Sequence, residues 1–236
     1  MIRIIESNGR TSDPDVLAFM RLRKRRFHDD LAWDVLVEGD CERDAYDDIA
    51  CTYVLDLRPE GLAGGMRLMP TTGRTLMHDV FGSLMPDPMM FRASETWEIT
   101  RFCLSPDIPK VAFSTPRRLF SGLMAFSRAR SIERYVAVTD DVTLKLMRWV
   151  GLPAVPVGRS EDGFGCPVTA WSWDVDAEFE KRMNKERALY SIAAEVVFDR
   201  PNEASEVAKP AASNVNGSDA GSGDVGQVSR EQAGRG

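Results

Sequence analysis

The sequence has few of the features that identify membrane, secreted or metal-binding proteins. It contains no long apolar run, and stretches such as Tyr135–Val138 are far shorter than the roughly 20 residues that cross a bilayer as a helix. The first residues, MIRIIESN, are too polar and too short in apolar length for a secretory signal. We therefore expect a cytoplasmic protein with no stable membrane insertion.

Histidine and cysteine are scarce: among 236 residues there are 2 histidines, His28 and His78, and 4 cysteines. Two histidines exclude a zinc site built on several imidazoles, and we expect both at the surface. The cysteines form no Cys-x-x-Cys pair and match no metal-ligand spacing. Without a secretory signal we expect reduced thiols packed as small apolar side chains, with one disulfide pair as the open alternative. No metal or other cofactor is expected.

Positive charge is in the minority as well. The formal net charge is -6, which argues against a nucleic-acid-binding surface as the main function. Hydrophobic residues, by contrast, are abundant. They make up 43% of the chain, enough for a substantial core in one large domain or two small ones.

A change in composition divides the chain near residue 200. Residues 201–236 contain no Leu, Ile, Met, Phe, Tyr or Trp and are rich in Gly, Ala and Ser. Such a segment cannot bury enough apolar surface to offset the entropy lost on ordering it. We predict one folded domain over residues 1–200 and a disordered tail over 201–236.

Strand and helix patterns alternate within the folded part. Asp13-Pro14 is typical of a helix start, as is Thr115-Pro116, and Asp140 caps a third helix. The predicted helices are 14–27, 116–129, 140–151 and 175–197, and the predicted strands are 52–57, 62–68, 96–104, 135–139 and 168–173. An early hairpin followed by βαβ crossovers indicates an α/β fold, a three-layer α-β-α sandwich with a mixed twisted sheet.

Polar and aromatic residues concentrate in two regions of this pattern. The first runs from the basic stretch 23–27 through Trp33 to the acidic stretch 42–48, and a solvated helix end followed by an acidic loop is its simpler interpretation. The second is the predicted strand 96–104. There Glu98 shares one face with Thr100 while Arg101 takes the other, because side chains alternate along a strand.

A carboxylate inside such a strand has two possible states. It either pairs with a cation or is held partly desolvated with a raised pKa, as a general base requires. The sequence leaves both open for Glu98, whose neighbours Trp97 and Ile99 are apolar.

A series of sparse positions resembles the acyl-homoserine-lactone (autoinducer) synthases of the LuxI type. The segments GGMRLMPTTGRTLMHDVF and TWEITRF are similar to the family's motifs, and the resemblance covers roughly residues 3–175. The positions that match in order and spacing are Arg23, Phe27, Trp33, Glu42, Asp44, Asp47, Arg67, Phe81, Glu98 and Arg101.

The resemblance implies a fold similar to the Gcn5-related acyltransferases, with a V-shaped cleft between strands. It also implies a reaction. The amine of S-adenosylmethionine attacks an acyl thioester carried on acyl carrier protein or coenzyme A, and the methionine carboxylate then displaces the sulfonium sulfur. The products are an N-acyl-L-homoserine lactone, a quorum-sensing signal, and methylthioadenosine.

The same resemblance assigns the site residues. Glu98 is the first choice for the general base and Glu42 the second, while Arg67 and Arg101 suit pairing with carboxylates of the protein or of the substrate. The residues expected to bind S-adenosylmethionine are Arg23, Phe27, Trp33, Asp44 and Asp47. Each has a structural alternative: the aromatic pair could be core, and the two aspartates could only brace the N-terminal segment.

The acyl pocket is expected between the sheet and the helix 116–129. The residues assigned to it are Thr100, Phe120, Leu123, Met124, Ala137 and Thr139. In the family, enzymes that prefer 3-oxo acyl chains usually have a Thr in the strand that precedes the helix equivalent to the one that Asp140 caps here. Ala137 stands at the equivalent position and cannot donate that hydrogen bond, so we expect an acyl chain without a 3-oxo group, with Thr139 as the residue that could still supply the bond.

A coenzyme-A-dependent N-acetyltransferase of the same fold is the alternative function. Such enzymes hold phosphates with a Gln/Arg-x-x-Gly-x-Gly/Ala loop leading into a helix, and the most similar segment here, RSEDGFG at 159–165, has a different spacing. A non-catalytic module would be expected to lack the Glu and Arg positions, and all are present. The donor stays open, because basic residues on the predicted helices suit either an acidic carrier protein or coenzyme A phosphates: Arg117, Arg118, Arg128, Arg130, Arg134, Lys145 and Arg148.

Overall fold

The computed structural model describes residues 1–108, 111–162, 165–189 and 194–199. The tail predicted over 201–236 lies outside the described residues. The strands are β1 (Ile2–Asn8), β2 (Val37–Glu38), β3 (Cys41–Glu42), β4 (Ala50–Arg58), β5 (Gly61–Pro70), β6 (Thr96–Leu104), β7 (Arg134–Asp140), β8 (Val155–Ser160), β9 (Val168–Asp174) and β10 (Val196–Asp199). The helices are α1 (Pro14–Arg23), α2 (Leu76–Asp79), α3 (Val111–Arg130), α4 (Asp141–Trp149) and α5 (Ala177–Leu189).

Eight strands form one mixed sheet in the order β10-β1-β4-β5-β6-β7-β9-β8. The pairs β1–β10 and β6–β7 are parallel, and the remaining neighbours are antiparallel. The parallel pair β6–β7 is in register only from Thr96↔Arg134 to Ile99↔Ala137. Beyond that point β6 pairs with β5 alone, so the two strands separate near the middle of the sheet.

One face of the sheet packs against α3, α4 and α5. Leu123 and Phe126 of α3 share a buried cluster with Ile2, Val54 and Leu68 from three strands. At Gly122 the helix approaches the sheet so closely that a Cβ would lie 2.6 Å from the Ile2 side chain. This layer contains the largest part of the core.

The opposite face packs against α1. Phe19 and Met20 share a second buried cluster with Tyr53, Leu55 and Met69. A third, smaller cluster lies around α2 and contains Met77, Leu84, Met85, Val136, Val168 and Ala170. Helices therefore cover both faces, and the three-layer sandwich with a mixed sheet is confirmed. Among the described residues, no helix combines the length and the apolar character needed to span a membrane.

Helix starts were predicted with mixed success. Asp13 and Asp140 cap α1 and α4 as expected, accepting hydrogen bonds from the first backbone N–H groups of each helix. The start at Thr115-Pro116 is wrong, because α3 begins at Val111 and contains Pro116. The Thr115 hydroxyl accepts a hydrogen bond from Arg58 on β4 at 2.7 Å, so it fastens the helix to the sheet.

The predicted helix over 175–197 is also wrong at its end. Helix α5 ends at Leu189, and Val196–Asp199 forms the edge strand β10 in register with the start of β1, Ile2↔Val196. Strands β1, β2, β3 and β8 and the short helix α2 were not predicted. Strand β1 pairs with β4 and β10, which are distant in sequence, whereas β8 pairs with the next strand along the chain, β9. The first predicted helix continues past α1 as a π-helical segment, Lys24–Asp30.

Candidate active site

Six charged side chains meet on the sheet face that α1 covers. They come from the end of α1, from β3 and the loop after it, and from β5 and β6, and we refer to them as the ionic cluster: Arg23, Glu42, Asp44, Asp47, Arg67 and Arg101. Three guanidinium groups and three carboxylates cancel in formal charge. A balanced set is what allows so many ions to be withdrawn from water together.

Arg23 occupies the most buried end of the ionic cluster. Its Nη1 and Nη2 each donate to Asp47 at 2.8 Å, and its Nε donates to Glu42. All three side chains are fully buried. The Tyr53 hydroxyl adds a hydrogen bond to Asp47 at 2.9 Å. The basic stretch 23–27 is therefore not simply a solvated helix end, because the side chain of Arg23 is enclosed among carboxylates.

Arg67 of β5 joins the second aspartate to this arrangement. It holds Asp44 with two hydrogen bonds, of 2.5 and 2.9 Å, and lies 2.8 Å from Asp47 Oδ1. Its Nε donates to the Thr100 hydroxyl at 3.0 Å. Thr100 was assigned to the acyl pocket. Its contacts place it with the ionic cluster instead, on the sheet face opposite α3, because its strand neighbour Ile99 belongs to the α3 core.

Arg101 reaches the same cluster through an irregularity in β6. The residue has φ +55°, and the pairing between β5 and β6 shifts register beside it. This bulge turns Arg101 onto the face of Thr100, so the prediction from strict alternation is wrong. The Nη2 atom of Arg101 lies 2.7 Å from Asp44 and 3.0 Å from Glu42.

Paired cations determine the pKa values of the two aspartates. Burial raises the pKa of Asp44, but Arg67 and Arg101 outweigh it and the net shift is downward. Burial likewise opposes ionisation of Asp47, and its hydrogen bonds to Arg23 together with the charge of Arg67 hold its pKa well below the usual range. Both groups are therefore ionised at neutral pH.

Phe27 and Trp33 stack beside the ionic cluster. Their ring centroids are 5.2 Å apart with an interplanar angle of 6°, and the Arg101 guanidinium lies 5.8 Å from the Phe27 ring. Phe27 is buried, whereas Trp33 is 39% exposed. The pair is thus neither pure core nor free surface: its inner ring contacts the cluster and its outer ring is accessible.

Glu98 lies on the same sheet face but in different surroundings. It is 1% exposed, and its Oε1 accepts a hydrogen bond from the Met77 backbone N–H at 2.9 Å. Its Oε2 is buried and has no hydrogen-bond partner among the described residues. Burial raises the pKa of Glu98 to about 8, against smaller lowering effects from the Met77 N–H and Arg67. Of the two states left open by the sequence, Glu98 therefore occupies the desolvated one.

The other residues assigned to the acyl pocket lie on the α3 face. Phe120, Leu123, Met124 and Ala137 are buried together in the main core cluster. Thr139 is half-buried, and its hydroxyl accepts a hydrogen bond from the Trp171 indole at 3.0 Å. Sequence reasoning missed Trp171, which pairs with Ala137 across β7 and β9. The available signal was the alternation of Trp171 and Trp173 on the predicted strand 168–173, which puts both side chains on one face of the sheet.

The two histidines have different environments. His28 is exposed, as expected. His78 is half-buried and hydrogen-bonded on both ring nitrogens, so a simple surface position is wrong for it. The cysteines are free thiols: Cys41, Cys51 and Cys103 are buried and Cys166 is half-buried, as expected for small apolar side chains.

Comparison with known proteins gives a consistent result. The family model described as autoinducer synthase matches residues 9–183. An acyl-homoserine-lactone synthase from Rhizobium etli is 33% identical over 183 residues, which are 75% of this chain and 86% of that protein. One from Ralstonia solanacearum is 30% identical over 188 residues, 75% of this chain and 90% of that protein.

Solved structures extend the similarity to the fold. MesI, a CoA-dependent acyl-homoserine lactone synthase, is 26% identical with a TM-score of 0.65 and covers 82% of this chain and 98% of its own. TofI, in a ternary complex with an inhibitor and MTA, is 26% identical with a TM-score of 0.64, covering 77% and 96%. A putative N-acetyltransferase from Lactobacillus plantarum shares the fold alone, at 14% identity and a TM-score of 0.51. With a family match that spans Glu98 and the whole ionic cluster, the chain belongs to the autoinducer synthase family of acyltransferases.

Proposed function

We propose that this protein transfers an acyl group from a thioester to the amine of S-adenosylmethionine and closes the product to an N-acyl-L-homoserine lactone. The observation that carries the proposal is the contrast between Glu98, a buried carboxyl with one unpartnered oxygen, and the adjacent charge-balanced ionic cluster. One supplies a group that can take a proton. The other orders the segment expected to cover the nucleoside.

Glu98 suits the amine that it would serve. An α-amino group has a pKa of about 8, so most of it is protonated at neutral pH and must lose a proton before it attacks. The pKa of Glu98, raised by burial to about 8, makes transfer between the two groups nearly balanced in free energy. Because Met77 holds Oε1, the unpartnered Oε2 is the oxygen that receives the proton.

The chemical steps balance without a further reactant. Glu98 takes one proton from the ammonium and later releases it to solvent. The amine nitrogen then bonds to the thioester carbonyl carbon, the carbon–sulfur bond breaks, and the second amine proton goes to the departing thiolate. In lactonisation a carboxylate oxygen bonds to the carbon beside the sulfonium, and the electron pair of the broken carbon–sulfur bond neutralises sulfur in methylthioadenosine.

The aromatic pair and the two arginines of the sheet have different expected roles in binding S-adenosylmethionine. The accessible Trp33 ring, stacked on Phe27, offers a face to the adenine or the sulfonium, a cation–π contact that contributes on the order of 1 kcal/mol. Arg67 is fully buried and committed to Asp44, Asp47 and Thr100, so it acts by ordering the cluster. Arg101 pairs with Glu42 and Asp44 but is 17% exposed, and we expect it to be the arginine that meets a substrate carboxylate.

The alternative N-acetyltransferase finds little support in the segment considered for it. Arg159 lies in β8 and pairs with Asp141 and Glu161, so the arginine of this segment belongs to a strand and not to a loop that leads into a helix. Residues 163 and 164 of that segment lie outside the described residues.

The cytoplasmic location of the protein and its preference for an acyl chain without a 3-oxo group stay predictions.

The proposal is tested with the purified full chain and S-adenosylmethionine. Parallel reactions receive a series of acyl-coenzyme A thioesters or the same acyl groups on acyl carrier protein, and methylthioadenosine and lactone are measured by mass spectrometry. We expect equal amounts of both products with one donor class, which also identifies the donor. Transfer to simple amines without release of methylthioadenosine would favour the N-acetyltransferase.

A further inference from the structure

Glu98 is held by a short helical segment on which the sequence predicted no site residue. Helix α2 is a single turn, Leu76–Asp79, with Thr75 as its N-cap, and its Met77 N–H is the donor that binds Glu98 Oε1 at 2.9 Å. One helical turn has little stability of its own, because nucleation is unfavourable. The position of the Met77 N–H relative to Glu98 must therefore be fixed by contacts that the turn makes with the rest of the protein.

The first of these contacts is His78. Its Nε2 lies 3.0 Å from the Met90 carbonyl oxygen and its Nδ1 lies 2.6 Å from the Thr75 hydroxyl. Because a carbonyl only accepts, Nε2 carries the proton and Nδ1 accepts the hydrogen bond from Thr75. Burial lowers the pKa of His78, which favours this neutral form. One side chain thus joins the cap of the turn to the segment around Met90.

That segment is itself fastened to the end of β5. The Thr71 hydroxyl donates to the Phe91 carbonyl at 2.6 Å, and Arg92 Nη1 donates to the Thr71 carbonyl at 3.1 Å. His78 therefore connects the turn that carries Met77 to a segment that is hydrogen-bonded to the end of β5. Removing its ring would release one side of the turn while leaving the strand intact.

The second contact is Asp79. Its Oδ2 accepts hydrogen bonds from the Tyr46 hydroxyl at 3.2 Å and from Arg74 Nε at 2.9 Å. Tyr46 belongs to the loop that carries Asp44 and Asp47 of the ionic cluster: its backbone N–H donates to Asp44 at 2.9 Å, and the Arg67 guanidinium lies 5.7 Å from its ring. The turn is thus connected to the two regions that the proposed function uses, Glu98 on one side and the cluster on the other.

We propose that His78 and Asp79 are positioning residues, which fix the α2 turn so that the Met77 N–H occupies one oxygen of Glu98 and leaves the other for the proton. The inference rests on the proposed function and extends it to residues that contact neither substrate. Tyr46, through Asp79, further links the alignment of Glu98 to the order of the ionic cluster.

The expected effects separate positioning from simple folding. His78→Ala should lower kcat roughly tenfold, the loss expected when one aligned hydrogen bond is released, with the KM for S-adenosylmethionine changed less than twofold. His78→Gln, which keeps a side-chain donor directed to the Met90 carbonyl, should recover most of the rate. Tyr46→Phe, which removes only the hydroxyl, should show a smaller loss of kcat in the same direction.

The pH profile supplies the readout that a merely structural role would not move. The groups that face Glu98 are Arg67 on β5 and the polar groups of Thr75, Leu76 and Met77 on the turn, and each lowers its pKa against burial. Among the described residues, the Met77 N–H is the one that lies at hydrogen-bond distance from the carboxylate, and of these groups it has the largest lowering effect. Loss of the Met77 contact therefore raises the pKa of Glu98. Since the base must be ionised to act, the acid limb of kcat should move to higher pH in His78→Ala and return in His78→Gln.

A spectroscopic titration keeps this test independent of turnover. The carbonyl stretch of protonated Glu98, assigned by its loss in Glu98→Gln, is followed by infrared difference spectroscopy from pH 5 to 10 in the full chain. An upward shift of its midpoint in His78→Ala supports the proposal. An unchanged midpoint overturns it, as does a loss of rate that is equal at all pH values and follows thermal stability. Failure of the proposed function would appear elsewhere, as wild-type protein that makes no lactone or as full turnover in Glu98→Gln.

Discussion

Two regions on one face of the sheet shift the pKa values of buried carboxyl groups in opposite directions. In the ionic cluster, Asp44 and Asp47 are enclosed with arginines, and the pKa values of both are lowered. Glu98, on the neighbouring stretch of β6, receives one backbone N–H and no paired cation, and burial raises its pKa to about 8. The comparison teaches that the partner and not the depth of burial decides whether a carboxylate becomes a fixed charge or a proton acceptor.

The largest expected effect comes from removing the proton acceptor. Glu98→Gln keeps the shape of the side chain and its hydrogen bond from Met77, but it cannot take a proton from the amine. The maximal rate should fall by about 10²–10⁴, the usual range for loss of a general base. The measurement is the release of methylthioadenosine at saturating substrates.

Asp44→Asn is the matched control for this comparison. It changes a carboxylate of the ionic cluster to the same kind of amide, and we expect the opposite emphasis, with weaker binding of S-adenosylmethionine and a smaller change in maximal rate. Near-wild-type turnover in Glu98→Gln would contradict the assignment and make Glu42, or a water molecule, the next candidate.

Breaking the ionic cluster should affect stability more than chemistry. Arg23→Met leaves Glu42 and Asp47 buried without their shared cation, which costs about 3–5 kcal/mol in free energy of unfolding. Arg128→Met removes an exposed partner of Glu180 and should leave the urea midpoint almost unchanged. If the two variants unfold at the same urea concentration, the cluster does not stabilise the fold.

The two regions should also respond in opposite directions to pH. Glu98 has a higher pKa in the folded chain than its ordinary 4.5, so the folded state binds more protons between about pH 4.5 and 8 and loses stability as pH rises through that range. The slope is at most about 1.4 kcal/mol per pH unit. Asp44 and Asp47, whose pKa values are lowered, stabilise the fold above their ordinary pKa and lose that contribution as pH falls.

Urea unfolding of wild type and Glu98→Gln from pH 5 to 9 measures this difference. The variant should gain stability relative to wild type as pH rises, because it no longer carries the carboxyl that must ionise in the unfolded chain. A constant difference across the range would show that Glu98 titrates normally.

A smaller effect is expected on acyl preference. Ala137→Thr places a hydroxyl beside Trp171 in the core cluster and offers a donor to the carbonyl of a 3-oxo chain. One hydrogen bond contributes roughly 0.5–1.5 kcal/mol, so the ratio of kcat/KM for 3-oxo over unsubstituted substrates should rise about two- to tenfold. Val138→Thr, one residue along and on the other face, should leave the ratio unchanged. An unmoved ratio in Ala137→Thr would place the acyl chain elsewhere.

The smallest expected effect is that of truncation after Arg200. The removed residues contain no large apolar side chain to anchor them, so turnover and the thermal midpoint should match those of the full chain. Loss of either in the truncated protein would show that the tail contributes to the folded domain.

Sequence patterns worked where the physical cause is local. Caps at Asp13 and Asp140 were predicted because a side chain bonds to backbone N–H groups two or three residues away. The same reasoning failed at Thr115, whose hydroxyl bonds to Arg58 on another element. It failed again at β10, where pairing with β1 at the edge of the sheet decides the conformation of Val196 and its neighbours.

For the candidate site the division is similar. The sequence by itself determined the family, the alternating order of strands and helices, and the residue types at the site, because these follow from the spacing of residues along the chain and from its composition. Only the tertiary structure decided that the bulge at Arg101 brings it to the face of Arg67, that Thr100 joins the ionic cluster, and that Oε2 of Glu98 is left unpartnered. Each of these depends on which distant groups share a buried volume, and burial among specific neighbours is a property that no stretch of chain has before it folds.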